Sequence, residues 1–173
     1  MNDTRICRLV EQFRIAIENA RDDDRFIGDD FDGFPKNCCG DTSYLLAEFL
    51  RSKGQESIYV WGEDYTGQTH AWLVVNDGRV KKPTQTYIDF PDDVKNALNL
   101  YSNRAYNAPV TVANYDETDL EGGLITDITA DQFGGVPIYV FYLCTFYKQF
   151  EFRFANGFTA LGSSRLRRIY QTI

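Results

Sequence analysis

Cys39, His70 and Asp127 are the residues of this sequence whose types and surroundings fit covalent chemistry. The thiolate is the nucleophilic form of cysteine, and a helix N-terminus lowers a thiol pKa through its positive dipole end and unpaired amides. Cys39 falls where a helix is expected to begin, so its own backbone amide can also point at the oxyanion of an attacked carbonyl. His70 is the only histidine of the 173 residues and opens the strand-like run His70-Ala71-Trp72-Leu73-Val74-Val75, which leaves a general base one source. Asp127 lies inside Ile125-Thr126-Asp127-Ile128-Thr129, and a carboxylate buried among apolar neighbours needs a partner such as the second ring nitrogen of a histidine. Asp131 is the alternative orienting carboxylate, although its place after Ala130 reads as a turn or helix cap. Each residue also has a plainer reading, a structural cysteine or a core or surface histidine, and it is their combination that points to chemistry.

The elements that must carry these residues can be read from periodicity. From Thr4 to about Ala20, Ile6, Leu9, Val10, Phe13 and Ile17 recur at steps of three and four, giving an amphipathic helix. The acidic stretch from Asp22 to Gly33 reads as a loop ending at Phe34-Pro35. A second helix begins near Cys38 or Cys39, with Asn37 as its expected N-cap. It turns Leu45, Leu46, Phe49 and Leu50 inward and ends at Gly54. Ser57–Trp61 and His70–Val75 read as two antiparallel strands, with a turn at Asn76-Asp77-Gly78. Residues 79–123 are punctuated by Pro83, Pro91 and Pro109 and hold one short helical pattern, Val94–Tyr101, so they read as an insertion that covers a site. Strand patterns return at Leu124–Thr129, Ile138–Phe146 and Phe150–Phe154. Helices followed by a run of strands predict an α+β fold in one domain, the nucleophile's helix packed on an antiparallel sheet.

Composition narrows the function classes. Eighteen basic against 25 acidic residues give a net charge of −7, which argues against a phosphate-backbone partner. The local cluster Arg165, Arg167 and Arg168 reads as a solvated charged segment without a role. No secretory leader or membrane-length apolar run is seen, so a cytoplasmic protein without a membrane partner is expected. Four cysteines, Cys7, Cys38, Cys39 and Cys144, lie too irregularly for a disulfide framework, and reduced thiols are expected. No CxxC or HxxxH spacing is present, so neither a metal nor another cofactor is expected.

The ordered segments resemble the transglutaminase-like branch of the papain-like thiol enzymes. Cys39-Gly40-Asp41-Thr42-Ser43-Tyr44-Leu45 through Ala47, Leu50, Arg51 and Gly54 is similar to that family's nucleophile helix, and this register selects Cys39 over Cys38. Tyr59-Val60-Trp61-Gly62 followed by His70-Ala71-Trp72 resembles its next strand pair. Asp127-Ile128-Thr129 resembles its aspartate-proline-threonine segment, with Ile128 in the proline's place and a longer interval from the histidine. The matching segments span roughly 35–133. The resemblance implies a Cys39–His70–Asp127 triad that forms a thioester from a protein or peptide-like amide, as a peptidase, deamidase or transglutaminase. The second oxyanion donor stays open between Asn37 and Trp72, each with a plainer role as N-cap or core aromatic. An inactive binding module on the same fold, or a toxin or effector using the same residues, are the alternatives.

Overall fold

A computed structural model describes residues 2–76, 78–81, 84–88, 110–142, 147–157 and 161–173. The first helix, α1 (Asn2–Asp22), buries Ile6, Val10, Phe13, Ile17 and Ala20 along one stripe, as its 3.6-residue period dictates. The second, α2 (Cys39–Ser52), buries Leu45, Leu46, Ala47 and Leu50. The two helices meet through stacked Phe13 and Phe49, ring centroids 5.0 Å apart. The end of α2 is closed by Gly54 at φ 75°, whose amide donates to the Arg51 carbonyl while Gln55 donates to Leu50. Glycine is favoured there because a left-handed residue closes these two bonds.

Among the described residues, seven strands form one antiparallel sheet: β1 (Ser57–Glu63), β2 (Thr69–Val75), β3 (Thr84–Ile88), β4 (Val110–Tyr115), β5 (Leu124–Asp127), β6 (Tyr139–Tyr142) and β7 (Glu151–Gly157). Their order is β3-β4-β7-β1-β2-β5-β6. A third helix, α3 (Ser164–Thr172), is capped by the Ser163 hydroxyl, which accepts from the Leu166 amide, and packs on α2. The coarse α+β expectation therefore holds. Two sheet strands, β3 and β4, fall within the segment expected as an insertion, and the helix expected at 94–101 lies outside the described residues. Cys144 also lies outside them. The last described strand, β7, is central in the sheet, pairing with β1 on one side and β4 on the other.

Side-chain alternation along the strands divides the interior in two. Tyr59, Ala71, Leu73, Val75 and Leu124 join the two long helices in one cluster, whereas Ile58, Val60, Trp72, Val74 and Ile125 face Tyr147 and Phe150 in the other. In α1, Arg14 is 6 % exposed and ties the helix to the chain following β5. It donates to the Ile128 and Pro137 carbonyls, both at 2.6 Å, and makes a forked pair with Asp131 at 3.1 and 2.8 Å. No described helix is long and apolar enough to cross a membrane.

Candidate active site

Cys39 is the first residue of α2, half-buried, and Cys38 before it is the N-cap. The expectation that Asn37 caps the helix is therefore corrected: its backbone is left-handed at φ 58°, one residue too early to reach the helix amides. Cys38 makes no capping bond with its side chain, so the first amides of α2 are left without that partner. Ser43, one turn on, donates to the Ala71 carbonyl at 3.2 Å and lays the start of α2 along β2.

His70, the second residue of β2, has no exposed surface. Trp72, Phe133, Tyr147 and Phe150 surround its ring, with centroids 4.8 to 6.4 Å away. Gly62 lies opposite His70 on β1, and a Cβ there would come within 3.0 Å of both the Glu151 carbonyl and the Trp72 ring. A side chain there would force Trp72 or Phe150, both in contact with the histidine ring, or the Glu151 backbone to shift, which favours glycine opposite His70.

Nε2 of His70 meets Asp127 Oδ2 at 2.6 Å. The same oxygen accepts from the Tyr147 hydroxyl at 2.9 Å, while Oδ1 accepts from the Thr129 amide at 2.7 Å and its hydroxyl at 2.9 Å. Four donors thus fill the roughly four lone-pair directions of a carboxylate. Burial would raise the Asp127 pKa, but the His70 charge and these hydrogen bonds outweigh it and hold the carboxyl below its usual range. Asp131 is committed to Arg14 and takes no part.

The Cys39 thiol completes the row. Burial would raise its pKa, yet a hydrogen bond with His70, the His70 charge and the Ala71 amide together lower it. Burial likewise opposes charge on His70, but Asp127 and Cys39 push the imidazole up to about 9. The two shifts favour a thiolate beside an imidazolium. With Nε2 bonded to Asp127, a proton exchanged between the ring and the thiol would pass through Nδ1. The neighbouring Cys38 is a contrast: buried and away from the imidazole, its thiol is raised to about 11. Cys7, Cys38 and Cys39 are free thiols.

An open cleft of about 590 Å³ reaches Cys39, lined by Lys36, Asn37, Gln68, Thr69, Gln132 and Phe133 among others. Trp72 is 5 % exposed and belongs to the core beneath His70, its plainer expected role. Among the described residues, no group of three or more His, Cys, Asp or Glu is gathered as a metal-binding set.

No protein-family model, curated protein or solved structure matches the chain. The site therefore has to be read from its own geometry. Cys39, His70 and Asp127 come together from a helix and two strands far apart in sequence.

Two residues at or near this site escaped sequence reading. Tyr147 carried no signal, being one of the chain's eleven tyrosines and lying between two strand patterns. Arg165, read as solvated, is corrected: it bridges Asp29 at 2.5 and 2.8 Å and Asp41 at 2.5 Å. The turn at 29–33 and the first turn of α2 present those carboxylates to one face of α3, so a guanidinium fork is drawn in. Tyr147→Phe keeps the ring and removes the hydroxyl that donates to Asp127. It is expected to lower stability by about 1.5–3 kcal/mol, the range for a hydrogen bond to a charged group, as measured by urea unfolding.

Proposed function

We propose that this protein is a cysteine-dependent acyl enzyme of the transglutaminase-like kind, acting on a protein or peptide-like amide in a reducing, cytoplasmic compartment. The observation that carries the reading is the Cys39 thiol, at the open end of a helix and in a cleft, paired with a buried histidine that a saturated carboxylate holds from behind.

The thiolate attacks the amide carbonyl carbon, a C–S bond forms, and the carbonyl π electrons move onto oxygen. Collapse breaks the C–N bond, and the proton held by His70 passes to the leaving nitrogen, giving a thioester and a free amine. Water then gives a proton to His70 and its oxygen to the acyl carbon, releasing a carboxylic acid and restoring the thiolate. An amine in place of water completes acyl transfer instead. Asp127 keeps its charge throughout and steadies the imidazolium.

The test is the pH dependence of iodoacetamide alkylation, with the modified residue located by mass spectrometry. Alkylation at Cys39 with a midpoint well below the roughly 8.5 of a free thiol is the expected result, with Cys38 unmodified because it is buried and its thiol is raised to about 11. A midpoint at or above the free-thiol value would sink the proposal and favour a binding module.

A further inference from the structure

We infer that Asn37 donates the second hydrogen bond to the oxyanion formed when Cys39 attacks a carbonyl, the inference resting on the acyl-enzyme reading above. The first donor is the Cys39 amide, at the first helical position and beyond the reach of an intrahelical acceptor. A tetrahedral oxyanion is stabilised by donors fixed in advance around the place where its charge develops, and one amide leaves that oxygen half-served.

Asn37 is exposed in the same cleft as Cys39 and lies two residues before it, so the spacing between them is set by the backbone. Its left-handed turn at φ 58° is a conformation glycine would take more readily, and asparagine stands there instead. The N-cap position of α2 is held by Cys38, one residue nearer the helix, so capping does not account for the carboxamide. Among the described residues its side chain makes no hydrogen bond, so its N–H groups are uncommitted. The other carboxamides and the Trp72 indole fit less well. The Gln132 amide nitrogen is committed to the Thr129 carbonyl at 3.0 Å, and Trp72 lies in the core rather than in the lining. Gln68, in the turn between β1 and β2, and Gln149, at the end of a 3₁₀ turn over 147–149, stand far from the nucleophile in sequence, so the backbone does not set their spacing to it.

Two reactions of the same thiol separate this role from thiol activation. Acylation by p-nitrophenyl acetate passes through an oxyanion, whereas alkylation by iodoacetamide displaces iodide at a saturated carbon and builds none. Asn37→Gly permits the same backbone turn while deleting the carboxamide. Its acylation burst is expected to slow about 10²-fold, as for loss of one oxyanion donor, with the rate and pH midpoint of alkylation unchanged. Asn37→Asp, which keeps the shape but replaces donor by acceptor, is expected to be at least as slow. Wild-type acylation in Asn37→Gly, or a matching loss in Gln68→Ala or Gln149→Ala, overturns the assignment and leaves the thiol reading intact. Loss of both reactions in Asn37→Gly also overturns it, since the residue would then act through the fold. An unactivated thiol in the wild type defeats both readings.

Discussion

Asp127→Ala is expected to lower the free energy of unfolding by about 3–5 kcal/mol, the range for removing one member of a buried ion pair. The substitution strands three partners at once: the His70 ring, the Tyr147 hydroxyl and the Thr129 amide and hydroxyl all lose their acceptor inside the protein. The effect should depend on pH in a defined way. Asp127 is depressed in the folded state, so its contribution is present above its ordinary value of 3.8 and fades as pH falls through the lowered one. His70 is raised, so its contribution is complete below its ordinary value of 6.5 and fades as pH climbs through about 9. Urea unfolding of wild type and variant should therefore differ most between about pH 4 and 6.5, with the difference shrinking in acid and again above about 9. A gap independent of pH would mean the cost is packing alone.

His70→Ala carries the largest expected effect on chemistry. Without the imidazole, burial is left to raise the Cys39 pKa, as it does for Cys38, and the thiol should be almost wholly protonated at neutral pH. Alkylation at pH 7 is expected to slow by about 10²-fold, close to the loss of thiolate fraction on returning to a free-thiol pKa or higher. Acylation by p-nitrophenyl acetate should fall further, by up to about 10⁴-fold, because the proton carrier goes as well. A variant that is folded by near-ultraviolet circular dichroism and alkylates at the wild-type rate would show that His70 does not activate the thiol.

How much could be read beforehand follows from which signals are local. The stripe Ile6, Val10, Phe13 and Ile17, the glycine closing α2, and the β-branched and aromatic run of β2 act over short stretches of chain, so the sequence carried them. Cys39, His70 and Asp127 were legible because their chemical types are costly to bury without one another. The partners that complete the site were not. Tyr147 reaches Asp127 across 20 positions, and Arg14 reaches Asp131 across 117, each from a side chain whose local pattern is ordinary. The insertion of β7 between β1 and β4 was hidden for the same reason, because pairing partners of an alternating strand are chosen by tertiary packing. Asn37 and Cys38 differ by one position, and their roles at the helix start depended on a single left-handed residue.

The four-donor cage around Asp127 fixes the electrical bookkeeping of the whole cluster. With the proton on sulfur, the trio is a neutral thiol, a neutral ring and a carboxylate. With the proton on the ring, it is a thiolate, an imidazolium and a carboxylate. Either way it totals a single negative charge, so moving the proton from sulfur to ring rearranges a dipole without changing the monopole seen from solvent. Mobile ions a Debye length away respond chiefly to the monopole. The two protonation forms therefore look nearly alike to added salt, and the balance between them is an internal property of the fold.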